Sequence, residues 1–225
     1  MRLLRKIIFL LLGVVVLAAG YTIYQGYGIY KDVTEAQPLT QKVEQIEAQE
    51  HYTPYEELPK TYIEAVIAGE DQRFLKHGGF DLLSTGRAVL ANIKSGEMVQ
   101  GGSTITQQLA RNLYFEQDKN LSRKVAELMV AFALEKEYDK EEIFALYVNT
   151  IYFGSGYYNI YDASRGYYGK TPAELSDYEA TMLAGIPNAP SVYDPTVNPD
   201  LAEQRRQQII GCMVEQGYIE EGQIQ

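Results

Sequence analysis

The sequence predicts a mainly α-helical domain preceded by a single N-terminal transmembrane helix. Three observations lead to this. No charged residue occurs from Ile7 to Tyr30, and Ile7 to Ala19 is almost purely aliphatic; about 20 largely apolar residues suffice to cross the hydrocarbon core as a helix. From Leu58 onward, apolar residues recur at helical spacing, punctuated by capping boxes. No run of alternating β-branched residues marks a strand.

Residues 1–6 carry Arg2, Arg5 and Lys6 and read as a cytoplasmic tail, because basic residues accumulate on the inner side of a span. Residues 7–30 are the transmembrane helix and its interface, with Tyr21, Tyr24, Tyr27 and Tyr30 suited to the outer headgroup level. Lys31, Asp32 and Glu35 follow, which places the rest of the chain outside the cell membrane. A cleaved signal peptide, ending near Val16-Leu17-Ala18, is the competing reading. Residues 31–57 are polar and acidic, contain Pro38 and Pro54, and read as a stalk.

Residues 58–225 form the globular domain. Pro59 suits the first turn of a helix carrying Tyr62, Ile63, Val66 and Ile67, with Gly69 as its stop and Glu70 and Asp71 just past the end. A second helix is predicted from Leu82 to Lys94, stopped by Gly96. Thr104 with Gln107 caps a third, after Gly101-Gly102. Leu121, Val125, Leu128, Met129 and Phe132 stripe a fourth. Asp139 with Glu142 and Ser176 with Glu179 cap two more, the latter ending at Gly185 before Pro187.

Composition narrows the function. The net charge is −10, from 20 Lys plus Arg against 30 Asp plus Glu, which argues against a broadly basic face that binds nucleic acid by releasing phosphate counterions. The single cysteine, Cys212, rules out an intramolecular disulfide and a Cys-rich zinc site. There is no G-x-S-x-G elbow, H-E-x-x-H helix, Walker loop or S-x-x-K acyl-enzyme motif.

Three polar segments exceed what a helical scaffold needs. Glu70 to Asp81 holds Glu70, Asp71, His77 and Asp81 among Phe74 and Phe80; a carboxylate at a helix end beside apolar neighbours can serve as a general base, or the segment is a salt-bridged loop. Gln100 to Gln108, followed by Arg111 and Asn112, places glycines and hydroxyls at a helix start, where free N–H groups could meet an anion. Arg123, Lys124 and Glu127 share one helical face, either as an exposed ion-pair ladder or as a cationic grip on a phosphate.

Taken in order, these segments resemble the peptidoglycan glycosyltransferase domain of glycosyltransferase family 51, found in monofunctional transglycosylases and at the front of class A penicillin-binding proteins. The resemblance spans about residues 50–220. It rests on Glu70, Asp71, Phe74, His77, Gly79 and Asp81; on Gly101 through Gln108; on Arg123, Lys124 and Glu127; and on Lys140, Ile143, Tyr147, Asn149, Tyr152, Phe153, Gly154 and Gly156 with Tyr168-Gly169-Lys170. The stretch from Leu183 to Ser191 also agrees. Ala145 stands where the family usually has Glu, Asn159 where it has Gly, and Arg111 where it has Lys.

The resemblance implies a lysozyme-like helical fold and an enzyme that polymerises lipid II into β-1,4-linked glycan, with inversion and loss of undecaprenyl diphosphate. Glu70 and Glu127 would be the catalytic pair, Glu70 as general base and Glu127 either orienting the cations or helping to hold a divalent ion. Asp71, Phe74, His77, Gly102, Ser103, Thr104, Thr106, Gln107, Gln108, Arg111, Asn112, Arg123, Lys124, Lys140 and Asn149 would bind substrate. A divalent cation, Mg²⁺ or Mn²⁺, would sit against Glu127. The implied partners are lipid II, the nascent glycan strand, the membrane, and other wall-synthesis and division proteins, with no nucleic acid. Apolar residues between Leu82 and Gly96 would dip into the bilayer, or form an ordinary core helix. A glycan-cleaving enzyme and a catalytically silent lipid II-binding scaffold are the rival readings.

Overall fold

A computed structural model describes residues 2–96, 101–115 and 120–224. Gln100, the first residue of the second polar segment, lies outside them. Among the described residues there is no strand, only an isolated bridge between Gly78 and Phe80.

Helix α1, Arg2–Ala36, is 35 residues long, about 52 Å at 1.5 Å per residue. Within it Leu4–Ala36 is long and apolar enough to cross a membrane. Its first half is exposed on all sides, whereas Thr22, Gly26, Ile29, Tyr30 and Val33 are buried or half-buried one helical turn apart. Tyr21, Tyr24 and Tyr27 are exposed, but Tyr30 packs against the core.

The stretch read as a stalk is not simply a spacer. It contains α2, Leu39–Glu47, whose Leu39, Val43 and Ile46 are buried in the main core at i, i+4, i+7 spacing. Its polar composition masked this stripe, because three apolar residues suffice to dock one helix face.

Helix α3, Lys60–Glu70, buries Tyr62, Ala65, Val66 and Ile67. Gly69 does not stop it: Glu70 is its last residue and Asp71 its C-cap. Gly69 is instead a packing site, where an added Cβ would stand 3.1 Å from Ile209 Cδ1. Helix α4, Leu82–Ser95, follows the acidic loop. Helices α5, Ile105–Tyr114, α6, Leu121–Glu137, and α7, Lys140–Val148, cross in the centre of the domain and bury Leu109, Val130, Leu134, Phe144 and Tyr147.

Helix α8, Ile160–Tyr168, begins at Asn159, whose side-chain oxygen accepts the Asp162 N–H at 2.7 Å. Asn is a stronger N-cap than the usual Gly. Helix α9, Asp177–Gly185, begins at the Ser176–Glu179 capping box. The short α10, Pro190–Tyr193, leads to α11, Pro199–Glu215, which lies across α3 and α9 through Ile209 and Met213. Helices α2, α8, α10 and α11 are additional to those predicted from the sequence.

Candidate active site

The start of α5 is fixed locally. The Thr104 hydroxyl accepts from the Gln107 N–H at 3.1 Å, and the Gln107 side chain accepts from the Thr104 N–H at 3.0 Å. The next amide, of Ile105, donates to Asp71 Oδ2 at 3.0 Å, and the Thr104 hydroxyl donates to the Gly79 carbonyl at 2.8 Å. The expectation that this helix start offers its N–H groups to an anion therefore fails at Thr104, Ile105 and Gln107, because the protein already holds them.

Asp71 is the tie between the acidic loop and α5. His77 Nε2 lies 2.9 Å from both of its oxygens. Asp81 accepts from the Leu83 and Ser84 N–H groups and the Ser84 hydroxyl, and pairs with Arg73 at 2.9 Å. Burial pushes the Asp81 carboxyl up, but Ser84, Arg73 and Leu83 together hold it below the usual carboxylate range.

Asp71, His77 and Asp81 place their ligand atoms within 4.8 Å of one another, close enough to hold one metal ion. His77 Nδ1 is buried with no partner. A set that includes imidazole suits Zn²⁺ or Fe²⁺ better than Mg²⁺ or Mn²⁺. The oxygens, however, already accept from N–H and O–H donors, and Arg73 brings a positive charge against the group.

Glu70 sits at the C-terminal end of α3 with its side chain only 6% exposed. Gln108 Nε2 donates to Oε2 at 3.1 Å and Arg205 Nη2 to Oε1 at 3.2 Å. Tyr147 Oη donates to Gln108 Oε1 at 3.3 Å, which fixes the amide with its NH₂ toward the carboxylate. Burial, with the Glu70 charge nearby, pushes the Tyr62 and Tyr147 phenols far above their usual range, so both stay protonated. Arg111 also lies close enough to Tyr147 to oppose that shift. Asn112, exposed, donates to the Thr150 carbonyl at 3.4 Å.

Glu127, 1% exposed, pairs with Arg123 at 2.9 Å and makes a short contact with Lys124. Lys124 Nζ also donates to Ser103 Oγ at 3.0 Å. Both carboxylate oxygens therefore face cations, and this glutamate alone does not fit a hard divalent ion, which needs several free oxygen ligands. Gly102 lies against α4, where its carbonyl accepts the Thr85 hydroxyl at 3.2 Å.

The other predicted residues have protein partners. Phe74 is 1% exposed and packs on Phe144, and Lys140 lies over its ring at 4.5 Å while pairing with Glu135 at 2.7 Å. Thr106 is fully buried and donates to Glu135 at 2.5 Å. Asn149, 2% exposed, accepts the Thr53 N–H and donates to the Thr53 and Ala145 carbonyls. These three side chains are enclosed by protein. Ala145 is buried, where the family's Glu would need a partner.

Arg205 and Glu135 are the site residues that sequence reasoning missed. Glu135 carried a signal, since it lies two turns from Glu127 on the same helical face. Arg205 carried none, because it reaches Glu70 only through the docking of α11.

A family model described as Transglycosylase matches residues 36–214. The chain is 47% identical over 163 residues to Penicillin-binding protein 1F of Bacillus subtilis, covering 72% of this chain and 23% of that protein. It is 44% identical over 168 residues to Penicillin-binding protein 1A of Aquifex aeolicus, covering 75% and 23%. A Cupriavidus necator protein whose transglycosylase name is provisional is 44% identical over 172 residues, covering 76% of this chain and 74% of that protein. The chain thus spans about a quarter of the penicillin-binding proteins it matches.

Proposed function

Because the chain belongs to the transglycosylase family, we propose that it is a peptidoglycan glycosyltransferase that polymerises lipid II into β-1,4-linked glycan. One observation carries this reading. The segment around α5 joins an enclosed carboxylate to a cationic group, through Gln108 on Glu70 and Ser103 on Lys124.

In the proposed step, Glu70 takes the proton of the acceptor's 4-hydroxyl, which must come within about 3 Å. Each Glu70 oxygen has one protein donor and retains a second lone pair. The hydroxyl oxygen attacks C1 of the donor sugar from the face opposite the diphosphate. The new C1–O bond forms as the old one breaks, and the configuration inverts. The diphosphate leaves as an anion needing no strong acid, so cations placed in advance lower the barrier. Arg123 and Lys124 serve that purpose, with Glu127 holding them in place and Arg111 adding charge. Lys140 is held by Glu135 and contributes less directly. A divalent cation would add charge neutralisation to the leaving diphosphate.

The anchor reading follows from the same substrate. With its N-terminus in the cytoplasm, α1 would hold the domain outside, at the bilayer face where a polyprenyl-linked sugar emerges. Leu82, Leu83, Leu90 and Ile93 on α4 are each more than half exposed, which supports contact with lipid over an ordinary core helix.

The test is polymerisation of lipid II by the full chain, with Glu70→Gln alongside. Elongating glycan from wild type and none from the variant is expected. Cleavage of finished glycan without polymerisation would point to the hydrolase, and lipid II binding without either would point to the scaffold.

A further inference from the structure

α1 runs without a break from its apolar half onto α6, and the contact is tightest at Gly26. Gly26 is buried although Gln25 and Tyr27 beside it are exposed. A Cβ at this position would stand 2.6 Å from both Val125 Cβ and Val125 Cγ1, and 2.8 Å from the Ser122 carbonyl oxygen. Any side chain here must push the two helices apart, since a backbone carbonyl cannot turn aside as a side-chain tip can.

The turn of α6 that receives Gly26 is also the turn that carries Arg123, Lys124 and Glu127. Val125 and Glu127 are two residues apart, about 200° around the helix, so α1 presses on the side opposite the carboxylate. We infer that Gly26 is a positioning residue for glycan transfer: it seats the membrane anchor against α6 and sets where Arg123 and Lys124 stand relative to the diphosphate. This rests on the diphosphate reading above.

The experiment uses the full chain in lipid vesicles and compares Gly26→Val with Gly28→Val. Gly28 has nothing within 4 Å of an added Cβ, so the two variants share the helix-propensity cost and differ only in the α6 contact. Gly26→Val should lower kcat/KM for lipid II by about tenfold or more, given that a 1 Å misplacement can cost about 10². It should weaken competition by inorganic diphosphate in parallel, with Gly28→Val close to wild type in both. If Gly26→Val fails to fold, Gly26→Ala decides by the same two measurements, with a smaller loss in the same direction. Equal behaviour of the Gly26 and Gly28 variants would overturn the inference alone. A wild-type protein that polymerises lipid II but ignores diphosphate would overturn the diphosphate reading and this inference with it.

Discussion

Glu127 and Glu70 are both nearly enclosed carboxylates that face cations, but they acquire those cations in opposite ways. Glu127 takes Arg123 and Lys124 from the preceding turn of its own helix. Glu70 takes Arg205 from 135 residues away, on a helix that must first dock through Ile209 against Gly69. On the proposed reading, local pairing would let the arrangement loosen for a diphosphate, since Lys124 is 40% exposed. Distant pairing gives a carboxylate whose orientation depends on the whole domain being folded.

The largest effect expected from this contrast is at Glu70. Glu70→Gln should lower lipid II polymerisation by about 10²- to 10⁴-fold, the usual worth of a positioned base, while circular dichroism stays unchanged. Retained turnover within a few-fold of wild type would remove Glu70 from the base role.

Arg205→Gln comes next and should act on both stability and rate. Removing one partner of a buried pair costs about 3 kcal/mol, seen as a lower melting temperature, and kcat should fall by about tenfold as the Glu70 carboxylate loses its orientation. Arg205→Lys keeps the charge but not the fork, and should recover stability more than rate.

Glu127→Gln should show the reverse balance. Glu127 is as enclosed as Glu70, but Lys124 is 40% exposed and can turn to water, so the stability loss should be smaller than at Arg205, about 1–2 kcal/mol. By contrast, kcat/KM should fall by about tenfold, equivalent to about 1.4 kcal/mol of transition-state stabilisation. A large stability loss here would show that the local pair is structural after all.

The smallest effects are in pH dependence, away from either glutamate. Hydrogen bonds from Arg206, against an opposing burial effect, push the Glu203 carboxyl down to about 2. A folded-state value below the unfolded one means stability that is full above the unfolded pKa of about 4.3 and is lost as pH falls toward about 2. Asp81, also depressed, acts in the same direction. Melting curves between pH 7 and pH 2 should steepen below about pH 4, and Glu203→Gln should flatten part of that slope.

The same contrast explains what was legible in the sequence. Capping boxes at Thr104, Asp139 and Ser176 are local, four-residue patterns, and the helices they begin stand where they were read. The Arg123-Lys124-Glu127 face was legible for the same reason. Arg205 was not, because nothing in a 17-residue helix marks which arginine will reach a distant carboxylate. Phe74 and Asn149 stood in the motifs beside the polar residues, yet motif membership does not separate a side chain that meets substrate from one that holds the loop. The stripe of Leu39, Val43 and Ile46 was hidden by its polar neighbours.

The unbroken length of α1 has a mechanical consequence. A helix whose apolar stretch does not match the local bilayer thickness responds by tilting or by deforming the lipid around it. With α1 packed on α6 without a hinge, a tilt of the proposed anchor would become a tilt of the globular domain. On the proposed reading, the thickness of the surrounding bilayer would thereby enter the geometry with which the domain meets a lipid-linked sugar.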